Sequence, residues 1–178
     1  MKAITIWQPW ASLLAYGGKQ FETRSWATSY RGPIAIHAAA IKVPQVLKKL
    51  FPAGEYSDTS DYRAKKRFLD AVAKGLGGIY TTEELMEAMN KLPTGSVVAT
   101  ANLVGCHGIG TIETEGIRTE FGYLGGGNVA TWYPITEKER LLGDWSLGRY
   151  AWEFADMKKV GPIPAKGKQG LWEWKEEQ

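Results

Sequence analysis

The segment Gly17-Gly18-Lys19-Gln20-Phe21-Glu22-Thr23-Arg24-Ser25-Trp26 combines a helix stop with a short run of charged and aromatic side chains. Before it, apolar side chains recur at the spacing of one helical face, so we predict a helix over residues 9–16 that ends at the glycine pair. After it, the chain has the character of a strand. Alternation along a strand places Glu22, Arg24 and Trp26 on one face.

A compact polar site is one interpretation of this segment. A carboxylate at Glu22 and a guanidinium at Arg24 share a strand face, beside a lysine at the corner that precedes the strand. The alternative is structural. Lys19 would then only complement the negative end of the helix dipole, and Glu22 with Arg24 would be an exposed ion pair of little energetic value.

Five segments together are similar to the ASCH domain, a relative of the PUA RNA-binding domains. They are Trp7-Gln8-Pro9-Trp10-Ala11, Gly18-Lys19-x-x-Glu22-x-Arg24-Ser25-Trp26, Arg31-Gly32-Pro33-Ile34-Ala35-Ile36-His37-Ala38, Gly148-Arg149-Tyr150-Ala151-Trp152-Glu153-Phe154, and the stretch from Pro164 to Trp172. The resemblance covers both ends of the chain, and the middle is less distinctive. It implies an α+β fold, a PUA-like mixed β-barrel with peripheral helices, in a single domain over residues 1–178 with a helical insertion at about 43–93.

The resemblance also implies two classes of function. The first is a module that binds RNA, another single-stranded nucleic acid or a modified nucleoside in a cleft around the Gly-x-Lys-x-x-Glu-x-Arg motif. The second is a hydrolase acting on such ligands, because some ASCH relatives hydrolyse the amide of N4-acetylcytidine and others are described as ribonucleases. In the amidohydrolases the motif lysine acts with a threonine and a distant glutamate. Lys19 matches that lysine, whereas Glu22 occupies the position of the threonine.

These considerations give a set of candidate site residues. Lys19 and Glu22 are the candidates for catalysis if the protein is an enzyme, which the sequence leaves open. Arg24 is expected to contact a phosphate or a base edge, and aromatic side chains are expected to stack on bases. The candidate ligand-binding residues are Gln8, Trp10, Arg24, Trp26, Arg31, His37 and Arg149.

Composition is that of an ordinary soluble domain with a mild positive charge. The chain has 178 residues, 44% apolar and 23% charged, with a net charge of +3. These values suit one domain with its own core and are compatible with a polyanionic partner. Eight tryptophans are more than such a chain needs, and an excess of this kind suits surfaces that stack bases.

Cysteine and histidine are too few for a conventional zinc site. Cys106 is the only cysteine and the two histidines are His37 and His107, so we expect no disulfide, no metal and no cofactor. No apolar run approaches the length of a membrane span. The N-terminus reads directly as a strand rather than a signal peptide, which favours an intracellular, cytoplasmic location.

Between residues 43 and 93 the apolar residues recur at helical intervals, which predicts three helices, the third starting at a Thr81–Glu84 capping box. The segment from Lys42 to Gly75 contains eight lysines and arginines against four acids, a local charge of +4. Such a run is either a solvated helix face or an electrostatic footprint for phosphates.

The C-terminal half is predicted to be mostly β-structure. A central strand is expected from Gly95 to Val104, because both of its faces are mostly apolar. We expect residues 109–134 to be irregular, since they are rich in glycine. Gly125-Gly126-Gly127 lacks the lysine that a phosphate loop requires. A short helix should follow a second capping box at Thr136. Strands are expected over 149–155 and 170–174, linked through residues 161–164 and a basic turn at 166–168.

Overall fold

The strands pair into one curled, mixed sheet. The computed structural model describes residues 1–51, 59–78, 80–114, 117–125 and 131–175. Within these residues the strands are β1 (Lys2–Ile6), β2 (Phe21–Arg24), β3 (Gly32–Ala38), β4 (Ser96–Thr114), β5 (Ile117–Gly125), β6 (Thr131–Pro134), β7 (Tyr150–Pro164) and β8 (Leu171–Glu173). Six of them follow the order β2-β7-β4-β3-β1-β8 in a half-barrel. Only β1 and β3 are parallel, and β4 is central, as predicted.

Five helices lie around this sheet in the described residues. They are α1 (Trp10–Ala15), α2 (Val43–Leu50), α3 (Thr59–Gly75), α4 (Thr82–Asn90) and α5 (Glu137–Leu141). The helices α2 to α4 occupy the interval in which we predicted an insertion. The capping box of α4 is confirmed, because Thr81 and Glu84 each accept a hydrogen bond from the other's backbone amide. The curled half-barrel sheet and the helices around it confirm the α+β PUA-like fold. A single domain over residues 1–178 stays a prediction.

The short helix α1 separates two hydrophobic cores. Leu14 packs into the core of the half-barrel, whereas its neighbour Leu13 packs against the helices. The barrel core is formed largely by Ile4, Ile6, Ile34, Ile36, Leu103, Trp152 and Phe154. The helical core is formed largely by Val43, Leu47, Phe68, Val72, Leu85, Met89 and Leu142. Since both cores use α1, the helices have a fixed position relative to the barrel.

The prediction that residues 109–134 are irregular was wrong. The strand β4 continues to Thr114 and pairs with β5, which pairs in turn with β6. Glycine lowers strand propensity, but cross-strand pairing overrides that preference where a long partner strand is available. Gly125 ends β5, and Gly126 and Gly127 lie outside the described residues.

The prediction that residues 161–164 only link two strands was also wrong, because β7 runs through them to Pro164. The first part of β7 pairs with both β2 and β4, whereas the later part, including Ile163, pairs with β4. Proline is tolerated in a strand where its missing N–H does not interrupt a ladder. Asp156 has a φ of 52° and marks a bend where the register with β4 shifts, which allows the strand to continue.

The end of α3 is in backbone contact with the corner before β2. A Cβ added at Gly18 would lie 2.2 Å from the carbonyl oxygen of Gly75. A Cβ added at Gly75 would lie 2.4 Å from Cδ2 of Leu13. No side chain fits between these segments. Glycine at both position 18 and position 75 therefore permits α3 to pack directly onto the corner.

We expect Gly18→Ala to destabilise the protein by about 1–3 kcal/mol, because backbone atoms would have to move apart to accept the methyl group. Gly161→Ala is the matched control, since a Cβ there meets no atom within 4 Å. Urea unfolding of both variants checks this. Equal stability of the two variants would show that the contact between α3 and the corner is loose.

Candidate functional site

The strand β2 carries the charged pair of the motif on the face opposite Phe21 and Thr23. Phe21 and Thr23 are buried, whereas Glu22 and Arg24 are half-buried, which is the alternation that the sequence predicts. The strand pairs with β7 over its whole length, from Phe21 opposite Glu153 to Arg24 opposite Tyr150. The positions of the two charged side chains are therefore set by the sheet.

Arg24 is held from two sides but keeps an unused donor. Its Nη2 donates to the carbonyl of Thr5 at 2.8 Å and lies 3.3 Å from Oε1 of Glu22. The Nε atom is buried and has no hydrogen-bond acceptor among the described residues. The side chains of Glu22 and Arg24 are only 12% and 25% exposed. This pair is therefore neither a fully solvated surface ion pair nor a closed buried one.

Glu22 and Arg24 line a cleft between the half-barrel and the helices, which we call the first cleft. Its volume is about 620 Å³. Aromatic rings form part of its wall, at Trp7, Trp10, Phe51 and Phe68. Its charged lining residues are Glu22, Arg24, Arg67, Arg140, Asp144 and Arg149. The first cleft thus combines flat apolar surfaces with an excess of positive charge.

Arg149 and Asp144 form a bridge beside β2 in the first cleft. Arg149 Nε donates to the carbonyl of Asp144 at 3.1 Å and lies 3.2 Å from its carboxylate. Burial raises the pKa of Asp144, but hydrogen bonds from Ser146 and the charge of Arg149 outweigh it and leave that pKa below its usual value. The carboxylate is therefore ionised at neutral pH and fixes the orientation of the arginine.

A second cleft, also of about 620 Å³, adjoins the first. The two clefts share Thr5, Trp7 and Arg24. Among its other lining residues are Trp26, His37 and the segment from Ala165 to Gly170. Arg24 therefore stands in the wall between two neighbouring cavities.

A family model of the ASCH domain matches residues 4–165. The chain belongs to the ASCH domain family. A search of curated proteins gave no significant match. ASCH domains are PUA-like domains associated with RNA binding, and the match includes the motif, the lining of the first cleft and the helices α2 to α4.

The lysine of the ASCH motif lies in neither cleft wall and is fully buried. Its Nζ donates to the carbonyl of Phe21 and lies 3.8 Å from Oε2 of Glu139, with its side chain 0% exposed. Glu139 also accepts a hydrogen bond from the backbone amide of Gln20 at 2.6 Å. Because Glu139 belongs to α5, which leads into the lining residues 140–144, Lys19 connects the corner to a wall of the first cleft. A catalytic role for Lys19 stays a prediction, and this geometry favours a positioning role.

The other residues that the sequence predicted to bind a ligand divide into three groups, which line the first cleft, the second cleft or neither. Trp10 and Arg149 line the first cleft with Glu22 and Arg24, and Trp26 and His37 line the second. Gln8 is fully buried and bonds to Ser12 and to the carbonyl of Pro93. Arg31 is exposed and donates to the carbonyls of Thr28 and Tyr30. These last two residues stabilise a helix start and a turn.

Several residues of the site were not found from the sequence. Glu139 was noticed only as part of a capping box. Thr136 does accept a hydrogen bond from the backbone amide of Glu139. The carboxylate of Glu139, however, accepts a hydrogen bond from the backbone amide of Gln20, at the corner before β2. Glu139 lies 120 positions after Lys19, so no local pattern in the sequence connects the two residues. Arg67, Phe68 and Asp144 likewise reach the first cleft only through tertiary packing.

No helix in the described part of the chain is long and apolar enough to cross a membrane. No group of three or more histidines, cysteines or acids that could hold a metal ion occurs among those residues either.

We expect Lys19→Met to cost about 3–5 kcal/mol of unfolding free energy, because the Glu139 carboxylate would remain buried without a cationic partner. The double variant Lys19→Met/Glu139→Gln should lose less than the sum of the two single variants. Lys66→Met serves as a control, since Lys66 and Asp70 form an exposed pair worth at most about 1 kcal/mol. Chemical unfolding measures all four. Strict additivity would show that the two buried groups do not interact.

Proposed function

We propose that this ASCH domain binds single-stranded RNA and holds one nucleoside in the first cleft. The observation that carries the proposal is the half-buried Glu22–Arg24 pair, presented to a cleft of about 620 Å³ with the Nε donor of Arg24 unused. A cavity of this size suits a small organic ligand, and such sites typically combine apolar walls with a few fixed polar groups.

The polar groups complement the edge of a nucleobase. Base edges carry hydrogen-bond donors and acceptors side by side. The Glu22 carboxylate accepts from an exocyclic or ring N–H, and Arg24 donates to a neighbouring carbonyl oxygen or ring nitrogen. Because β2 and the carbonyl of Thr5 fix both side chains, little ordering is needed when a ligand binds.

The aromatic wall of the first cleft supplies surfaces for a base to stack on. Trp10 packs against Phe68 at a centroid distance of 5.8 Å, so its position is set by the helical core. Stacking of a base on such a ring contributes about 1–3 kcal/mol and tolerates any base. This contribution suits a module that binds RNA without a strong sequence requirement.

The charge of the first cleft fits a phosphate-bearing ligand. Four arginines line it against two carboxylates, Glu22 and Asp144. Arg67 is already paired with Glu137, and Arg149 with Asp144. The remaining attraction of the first cleft for a phosphate group is therefore moderate. A single strand of RNA is flexible enough to bring one phosphate to these cations while its base enters the cleft.

Hydrolysis of the ligand is the alternative function, and the contacts of Lys19 argue against it. A general base or nucleophile must come within hydrogen-bond distance of the reacting group, but the Lys19 side chain is fully buried against Phe21 and Glu139. Glu22 also replaces the threonine that the amidohydrolase relatives use. Turnover of N4-acetylcytidine or of an RNA by the wild-type protein would overturn the proposal of a binding module.

We expect Glu22→Gln to weaken nucleoside binding about 10- to 100-fold, because a charge-assisted hydrogen bond contributes roughly 1.5–3 kcal/mol. The melting temperature should change little, since the Glu22–Arg24 pair is partly solvated. Isothermal titration with the four standard nucleosides and N4-acetylcytidine measures the affinity. Glu173→Gln is the control, because Glu173 is an exposed carboxylate that pairs with Lys2. Unchanged affinity in Glu22→Gln for every nucleoside that binds would remove Glu22 from the site.

Binding of an RNA oligonucleotide should weaken with added salt, because each neutralised phosphate releases counterions. For single strands, the slope of log K against log salt concentration is about −0.7 for each phosphate contact. Binding of an uncharged nucleoside should change much less over the same range. Fluorescence anisotropy between low and moderate salt checks this. Salt-independent binding of the oligonucleotide would exclude phosphate recognition and leave a small-molecule site.

A further inference from the structure

The second cleft differs from the first in its charge. Its charged lining residues in the described part of the chain are Arg24, Lys166 and Lys168, and no carboxylate is among them. The first cleft, in contrast, offsets part of its positive charge with Glu22 and Asp144. Positive charge without a neutralising partner favours an anionic group, so the second cleft is the more suitable of the two for a phosphate.

His37 brings an unused hydrogen-bond acceptor to the wall of the second cleft. The ring is 1% exposed and its Nε2 lies 2.9 Å from the carbonyl oxygen of Ala165. A carbonyl only accepts, so Nε2 carries the proton and Nδ1 is left with a lone pair. Nδ1 is buried and has no partner among the described residues.

The neutral form of this histidine is the stable one. Burial lowers the pKa of His37, and the hydrogen bond to the carbonyl of Ala165 offsets that effect only in part. Near neutral pH the ring therefore adds no positive charge to the second cleft. Among the described residues, the positive charge there comes from Arg24, Lys166 and Lys168.

The basic segment from Ala165 to Lys168 is hydrogen-bonded to the barrel. Thr5 Oγ1 donates to the carbonyl of Lys168 at 2.9 Å and accepts from Trp172 Nε1 at 3.2 Å. At the start of the segment, the backbone amide of Ala165 donates to the carbonyl of Gly95 at 3.0 Å. The two exposed lysines thus extend from a backbone that is held at both ends.

Gly167 packs directly onto the Nδ1 edge of the His37 ring. A Cβ added there would sit 2.7 Å from Nδ1 and 2.4 Å from Cε1 of the ring. Glycine at this position therefore allows the segment that carries Lys166 and Lys168 to lie against the ring, which leaves Nδ1 buried.

We propose that the second cleft binds the nucleotide adjacent to the one in the first cleft, as the next unit of the same RNA strand. Arg24, in the shared wall, faces the phosphate that joins the two nucleosides, and Lys166 and Lys168 add to its binding. The aromatic side chains of Trp7 and Trp26 provide apolar surface beside the second nucleotide. This inference rests on the proposed binding of a nucleoside in the first cleft.

The test compares nucleosides with the dinucleoside monophosphates UpU, CpC, ApA and GpG by isothermal titration on the full chain. We expect at least one dinucleotide to bind the wild-type protein about tenfold or more tightly than its nucleoside. Lys166→Ala/Lys168→Ala should remove most of that gain and make the salt slope shallower by about 0.7, with nucleoside affinity unchanged. Lys74→Ala/Lys91→Ala is the matched control, because it removes two charges that line neither cleft.

A second variant tests the position of the segment from Ala165 to Gly170 while its charges are kept. Gly167→Ala should weaken dinucleotide binding at least about fivefold, because its methyl group would meet the His37 ring and displace the backbone that carries Lys166 and Lys168. Melting temperatures of all variants establish that they are folded. Unchanged dinucleotide affinity in Gly167→Ala would overturn the role of this segment in binding.

The outcomes separate this inference from the proposed function. Nucleoside binding without any gain for a dinucleotide would overturn the second site and leave the first intact. The same holds if the lysine variant and its control bind dinucleotides equally. If neither a nucleoside nor a dinucleotide binds the wild-type protein, both proposals fail.

Discussion

The buried Lys19 ammonium is the constraint on which the candidate site depends. Its contacts, the carbonyl of Phe21 and the carboxylate of Glu139, belong to β2 and to α5. Glu139 in turn holds the backbone amide of Gln20. A buried charge without such partners would be strongly destabilising, so the three segments are held together. Two parts of the lining of the first cleft, β2 and the end of α5, take their relative position from this cluster.

Arg24 has the complementary role, because it is positioned by the fold but not saturated by it. The carbonyl of Thr5 and the carboxylate of Glu22 engage one end of the guanidinium, while Nε is left over. A buried donor without an acceptor costs free energy. A protein that retains such a group on the border of two cavities is suited to a ligand that supplies the missing acceptor. This makes Arg24 the natural link between the two clefts.

The sequence predicted those parts of the structure that depend on neighbouring residues. The alternation of β2, the central position of β4 and the capping box at Thr81 all follow from patterns within a few positions. The ASCH family and the α+β PUA-like fold followed from motifs at both ends of the chain. The extension of β7 through Pro162 was missed, because tolerance of proline depends on which strands flank it.

The site was predictable only in part, for the same reason. Local alternation placed Glu22 and Arg24 on one strand face, but it gave no information on the cleft between barrel and helices that they line. The partner of Lys19 is distant in the sequence, so its identity could not be deduced from spacing. His37 was a candidate ligand-binding residue, but its sequence neighbours gave no information on its burial. Its burial results from Trp172, at a ring distance of 5.6 Å, and from the segment that follows β7.

The contact of Gly18 with Gly75 bears on how sequences of this family vary. In the pattern Gly-x-Lys-x-x-Glu-x-Arg, Gly18 occupies an unspecified position, but here the backbone of α3 lies against it. The restriction at Gly18 therefore comes from its contact with the end of α3. Among relatives, glycine at this position should co-occur with a helix that ends in glycine. Family members with a shorter connection between β3 and β4 are free to carry larger residues there.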